Sequence, residues 1–533
     1  MINNWMIPRN KRKLTSLVDS LAAFSILAVG GEWFGDVEKQ REFEALLERQ
    51  RLKRPGDRRD MRAGGARTYE AQLSSLGLIF SQDSSSRAMR LTLAGEAMIN
   101  GDPPIPLLRK QLLTFQYPSE YSLRQNVRIS PKYKIRPFLF ILRLLADEEI
   151  GTLSEQEVAR FVITYAYTDS DYDKVKKMIL KYRQLGNDEG WIEDAAQFLK
   201  DTGGSRTHGH SLEQRLTYLE EIANTFFNYM ESAQLVERIR DESSIRLNPD
   251  FVLEHQSYLT PSLSLPLMKD AEKHEVFQRR YGLDLVKTKD TRSFGAGQIT
   301  NQELQYRLVM REYLDIASKT PLLEVTGILV NKIADTTGVP QNIVKNILLQ
   351  KIPRALDTFE AGYWDMAHQG TEQATDFEIS TMMIFRDILN YYAEHIGQDR
   401  SQGRRGGNPD VFVVSFSDEY SGIIDTKAYS AYGLDNDHRN RMKSDYIPAF
   451  YRKNLNGKSI ELAFYMYVAG GFDKGFNTKL NSLSSEVSLR GSAITASNMI
   501  RLLRRHTETP FHHKDLLKLF TLNRELAPSD FGA

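Results

Sequence analysis

The sequence predicts a multidomain α+β protein, helix-rich over its first two thirds and α/β over its last third. Three observations carry this expectation. The chain has 533 residues, enough for three or four domains of ordinary size. Twice within the first 255 residues an amphipathic helical pattern gives way to two short apolar runs around a polar turn. From Val411 onward, runs dense in Val, Ile and Phe alternate with turns and helical stretches, the pattern of strands covered by helices.

Taken in order, the N-terminal MINNWMIPRNKRK lacks the apolar core of a secretory leader, and the LAAFSILAVGG that follows reads as a buried helix. No apolar stretch is long enough to span a bilayer, so the expectation is a cytoplasmic protein without a membrane partner. The absence of cysteine excludes disulfides and thiolate metal sites, leaving carboxylates as the natural metal ligands. A net charge of +1 decides little, because binding to a polyanion depends on where the charge lies. It is unevenly placed. The segment Arg51 to Arg67 is strongly basic and broken by Gly and Pro, which makes Arg54, Arg58, Arg59, Arg62 and Arg67 candidates for phosphate contact, with a solvated linker as the alternative.

Residues Thr68 to Asn100 read as helix, strand, turn, strand and helix, the order of a winged helix-turn-helix, with Arg87 and Arg90 beside the turn. A comparable unit follows GTLSEQEVARFVITYA, in which Ser154 and Glu157 make a capping box, and closes with helix, strand, turn and strand up to about residue 250. The expected domains are two winged-helix modules, 1–145 and 146–255, a helical linker, 256–345, and an α/β domain, 346–533. The linker assignment rests on the Pro- and Ser-containing SYLTPSLSLPLMKD and the helical patterns after it.

The chemistry-bearing pattern lies in NPDVFVVSFSDEYSGIIDTKAYS. Pro409 and Asp410 precede a strand-like run, Val411 to Phe416; a polar turn, Ser417 to Ser421, leads to a second, Gly422 to Ile424, which ends in Asp425-Thr426-Lys427. In an extended strand Asp425 and Lys427 share a face, and a hairpin return brings Asp410 beside them. Phosphodiester hydrolysis needs charge neutralisation and an acidified water, both of which an oxygen-ligated Mg2+ supplies. Asp410, Asp425 and the main-chain carbonyl of Thr426 are candidate ligands, and Lys427 a candidate to orient the attacking water or to stabilise developing charge. Arg404 and Arg405, just upstream, fall at the mouth of such a site.

Four separated segments, GGNPD, IIDTKAYSAYG, FYMYVAGGFDKGFNTKLNSLSS and GSAITASNMIRLL, together resemble in order the cleavage domain of FokI-type restriction endonucleases, over about the last third of the chain. The resemblance implies a restriction-endonuclease-like PD-(D/E)xK fold. It also implies a metal ligand from an upstream helix, and in FEISTMMIFRDIL that residue is Glu378. RKQLLTFQYPSEYS and IRPFLFILRLLADEEIGTLSEQEVARFV look like the recognition region of the AlwI and BstNBI group of Type IIS enzymes. The two resemblances imply Mg2+-dependent cleavage of double-stranded DNA outside a short asymmetric site.

Double-strand cutting would come from transient pairing of two cleavage domains on DNA, or from a partner subunit. One departure concerns the segment after Tyr432, which forms the dimer surface in FokI-type domains: here Arg439, Arg441, Lys443, Arg452 and Lys453 make it basic. His438 reads as a surface histidine near the site. A strand-specific nicking enzyme, a non-catalytic DNA-binding regulator and a nuclease of branched DNA are the alternatives.

Overall fold

The computed structural model describes the chain except residues 1, 10–13, 15, 51, 54–62, 84–86, 120, 121, 123–127, 186–190, 193, 205, 206, 208, 240–242, 250–265, 269–272, 295–299, 398–406 and 533. Arg54, Arg58, Arg59, Arg62, Arg404 and Arg405 therefore lie outside the described residues. The chain forms two compact units, residues 1–314 with 328–347, and residues 315–327 with 348–533.

In the first unit the apolar run near the N-terminus is the helix Leu17–Leu27, with Leu21, Ala22, Ala23 and Phe24 buried. The expected helix, strand, turn, strand and helix then appear in sequence: Gly64–Ser75, β1 (Ile79–Ser81), β2 (Met89–Leu91) and Leu93–Ile99. The strands β1 and β2 pair antiparallel. Thr92 accepts a hydrogen bond from the Gly95 amide, which ends the second strand and starts the helix that follows it.

The later pattern is also realised. Strand β3 (Thr152–Ser154) runs into a helix capped reciprocally by Ser154 and Glu157, the predicted box. The helix Leu212–Ser232 then leads to β4 (Val236–Ile239) and β5 (Ser244–Leu247), and the three strands form an antiparallel sheet in the order β3-β5-β4.

The boundary expected at residue 145 is not a boundary in the core. One apolar cluster extends from Ile2 to Tyr281. Phe138 packs on Phe226 with ring centroids 4.9 Å apart, Gln72 donates to the Tyr229 hydroxyl, and that hydroxyl donates to the Pro8 carbonyl. The described part of the expected linker also belongs to this unit at first. In the helix His274–Tyr281, Gln278 donates to the carbonyls of Ser74 and Ile79, and Gly282 O accepts from Ala94 N. Burial of Phe277 and Tyr281 supplies the physical reason: an amphipathic helix with an apolar face docks instead of spanning free space.

The second unit is built on a six-stranded mixed sheet. Its strands are β6 (Tyr392–His395), β7 (Val411–Ser415), β8 (Tyr420–Lys427), β9 (Arg452–Leu455), β10 (Lys458–Ala469) and β11 (Gly491–Thr495). The order is β11-β10-β8-β7-β6, with β9 antiparallel to β10. Both faces are covered, which explains the nearly continuous apolar runs. Val411, Val413, Ile424, Phe464, Met466 and Val468 face one core, while Phe412, Val414, Ile423, Tyr465 and Tyr467 face the other. The β7-β8 hairpin is as expected but tighter: β8 begins at Tyr420, and Glu419 turns the chain at φ 55°. The helix Ala374–Met383 lies against β6, β7 and β8.

Candidate active site

Register sets the site. Val411 pairs with Ile424, so Asp410, one residue before β7, comes beside the end of β8. There Asp410 Oδ2 accepts from the Thr426 amide at 2.7 Å and from its hydroxyl at 2.9 Å. Asp425 and Lys427 do share a face, as the two-residue period requires: Lys427 Nζ lies 2.7 Å from Asp425 Oδ2 and donates to the Thr426 carbonyl at 3.2 Å. Asp425 is buried at 3% exposure, deep in a central strand where a lone carboxylate would be costly.

Glu378 reaches the same place from the helix Ala374–Met383. Its Oε2 is 2.8 Å from His395 Nε2 at the end of β6. A side chain at Gly397 would put its Cβ 2.9 Å from Asp410 Oδ1 and 3.4 Å from Glu378 Oε2, so the two carboxylates converge on one space. The structure thus brings together Glu378, Asp410, Asp425, Thr426 and Lys427.

The electrostatics follow from that crowding. Burial and the adjacent Asp425 charge push the Asp410 carboxyl up to about 7; Glu378 adds to the rise, and Lys427 and the Thr426 amide oppose it. Burial pulls the Lys427 ammonium down, but Asp425 and Asp410 outweigh it and its net shift is upward, which keeps it charged. Nearby, burial and the Lys427 charge hold His438 below the usual imidazole value. It is half-buried, and its amide donates to Asp435 at a helix start.

Would these residues suit a divalent cation? Among the described residues no three carboxylates or imidazoles stand close enough to hold an ion as placed. The reason is local: Asp425 is committed to Lys427 and Asp410 Oδ2 to Thr426. The donor set is nevertheless all hard oxygen, and a cation would neutralise the buried carboxylates that burial and the adjacent Asp425 charge otherwise disfavour, so the residues fit an oxygen-ligated divalent cation chemically. Sequence reasoning missed His395 and Gly397, which have no spacing rule linking them to Asp410.

Residues 338–527 match the family model described as FokI, cleavage domain. That match covers about a third of the chain, so the likeness to the FokI cleavage domain belongs to its C-terminal part. Among solved structures, restriction endonuclease FokI aligns over 98% of this chain and 99% of its own at 13% identity and a TM-score of 0.29. FokI bound to DNA aligns over 98% of each chain at 12% identity and the same TM-score. The BpuJ1 endonuclease binding domain, crystallised with pyrene- and phenanthrene-modified DNA, aligns over 53% of this chain and 96% of its own at 15% identity and a TM-score of 0.35. No curated protein sequence matches the chain.

The segment expected to supply the dimer surface of the FokI-type domain differs from a single basic helix. It is a short helix, Asn436–Arg441, a π-helical turn, Met442–Tyr446, and another short helix, Ile447–Phe450, after which Arg452 opens β9. Its charge is also met internally. Arg439 and Lys443 pair with Glu486, Arg441 with Asp437, and Arg452 with Glu461.

In the first unit Arg67 is exposed on the helix Gly64–Ser75. Arg87 is exposed beside the β1-β2 turn with φ 41°. Arg90 is half-buried instead: it donates to Gln82 and lies over the Phe294 ring, so packing occupies it. Among the described residues no helix is long and apolar enough to cross a membrane.

Proposed function

We propose that the chain is a Type IIS restriction endonuclease that hydrolyses double-stranded DNA with Mg2+ outside a short asymmetric site. The observation that carries this reading is the convergence of Asp410, Asp425, Lys427 and Glu378 inside the region that matches the FokI cleavage domain. Asp410, Asp425, Glu378 and the Thr426 carbonyl would hold the cation, which supplies charge neutralisation and a more acidic water. Lys427, kept charged by its two acidic neighbours, orients the attacking water or stabilises charge on the phosphoryl oxygens. Thr426 holds Asp410 in place through its amide and hydroxyl.

Recognition belongs, in this reading, to the first unit, through two winged-helix modules resembling the AlwI and BstNBI group. Exposed Arg67 and Arg87, with the basic residues Arg54, Arg58, Arg59 and Arg62, would contact phosphates there, as Arg404 and Arg405 would near the cut. The protein acts on DNA as a transient pair of cleavage domains, or with a partner subunit. The test is digestion of DNA of known sequence with Mg2+, mapping the ends of both strands. Ends at one fixed offset from a common asymmetric site support the proposal. Breaks in one strand only would convert it to a nicking enzyme, and breaks without a common site would refute sequence-specific recognition.

A further inference from the structure

The end of β6 contributes two residues that neither the motif nor the family match assigns to the site. His395 is 16% exposed in its side chain, Glu378 17%, and their 2.8 Å contact lets the His395 tautomer with its proton on Nε2 donate to Glu378 Oε2. Two residues on, the chain turns at Gly397, and the amides of Ile396 and Gly397 both donate to the Asp410 main-chain carbonyl. This binds the end of β6 to the start of β7 directly behind the Asp410 carboxylate. An added methyl at Gly397 would lie 2.9 Å from Asp410 Oδ1, 3.2 Å from Asp410 Cα and 3.4 Å from Glu378 Oε2, in the space beside both carboxylates.

Resting on the nuclease reading above, we propose that His395 and Gly397 form a third wall of the cleavage site, acting in two different ways. His395 is a positioning residue that fixes the plane of the Glu378 carboxylate toward Asp410. Gly397 is required because only a residue without Cβ leaves space for a divalent cation between those two carboxylates. A carboxylate ligand held by a neighbouring hydrogen bond binds metal more tightly than a free one, because less rotamer freedom is lost on binding. The role of His395 is geometric and needs only its N–H, so a neutral donor of similar reach should replace it. Glutamine meets that requirement, since its amide nitrogen reaches to about the same distance as Nε2.

The experiment uses the full-length protein and two readouts: plasmid cleavage as a function of Mg2+ concentration, and Mn2+ binding followed by the electron paramagnetic resonance of free Mn2+. His395→Ala should raise the Mg2+ concentration for half-maximal cleavage by about 10- to 100-fold, the usual effect of losing a residue that supports a metal ligand. His395→Gln should restore most of that shift. Gly397→Ala should weaken Mn2+ binding to the level of Asp410→Ala while plasmid binding in EDTA and the melting temperature stay near wild type. An unshifted Mg2+ midpoint in His395→Ala, or an equal shift in His395→Gln, overturns the role of His395. Normal Mn2+ binding in Gly397→Ala overturns that of Gly397. Wild-type cleavage by Asp410→Ala would instead overturn the assignment of the metal site, and the wall with it, whereas absence of DNA cleavage by the wild-type protein with Mg2+ would overturn the nuclease reading itself.

Discussion

Buried charge is treated in opposite ways in the two units. In the first, many buried or half-buried arginines end on main-chain carbonyls or on one or two acidic partners. Arg307 donates to Ser25 O at 2.7 Å, Arg136 to Pro266 O at 2.9 Å, and Arg183 to Ile150 O and Glu157. Each cation therefore meets a compensating dipole or charge, the arrangement that makes burial affordable and gives the group no chemistry to perform. In the second unit Asp410, Asp425 and Glu378 crowd one another around a single ammonium, and Asp410 is driven far from its ordinary value. Satisfied charge of this kind stabilises a fold, and like charge forced together is the arrangement on which the proposed function rests.

The largest expected effect tests the second half of that contrast. Asp410→Ala, Asp425→Ala and Lys427→Ala should each reduce DNA cleavage by at least about 100-fold, as loss of transition-state charge stabilisation does. Binding of the same DNA in a gel-shift assay should stay close to wild type, because the proposal assigns recognition to the first unit. Cleavage by Asp425→Ala at the wild-type rate would mean that the crowding is structural after all.

A smaller effect tests the first half. Arg307→Ala leaves the buried Ser25 carbonyl without its charged donor and should cost about 2 kcal/mol of stability, read by denaturant unfolding of the full-length chain. The Mg2+ dependence of cleavage at permissive temperature should not move. A shift there would show that a satisfied arginine of the first unit also serves the chemistry.

The smallest effect concerns the cost of the crowding itself. Folded Asp410 titrates at about 7, above the ordinary value of 3.8. As pH rises the unfolded chain loses this proton first, so the folded state is favoured below that range and progressively penalised up to about pH 7. Asp410→Asn removes the penalty. Without divalent metal the variant should be more stable than wild type at about pH 8, and no more stable near pH 4. Equal stability of the two proteins across the whole range would show that Asp410 is not strained.

Much of this was readable before the fold was known, and for identifiable reasons. The capping box at Ser154 and Glu157, the helix over LAAFSIL and the β7-β8 hairpin all depend on contacts within a few residues, so local pattern specifies them. The pairing of Asp425 with Lys427 follows from the two-residue period of a strand alone. The motif spacing points to Thr426 only through its carbonyl as a metal ligand, whereas its amide and hydroxyl hold Asp410, a contact set by cross-strand register.

The sequence by itself determined the chemistry on offer: carboxylates and a main-chain carbonyl as hard oxygen ligands at the motif, a lysine two residues from one of the carboxylates, and strands to carry both. Tertiary structure alone decided which distant residues joined them and where the units divide. Glu378 meets Asp410 because a helix crosses β6, β7 and β8, His395 and Gly397 because β6 pairs with β7, and no local spacing encodes either approach. Likewise the two modules read separately in the first 255 residues share one core, and the helix His274–Tyr281 docks on it, because apolar faces are satisfied by any complementary face within reach of the chain. Period and capping act over a few residues, while burial is non-directional and acts across hundreds.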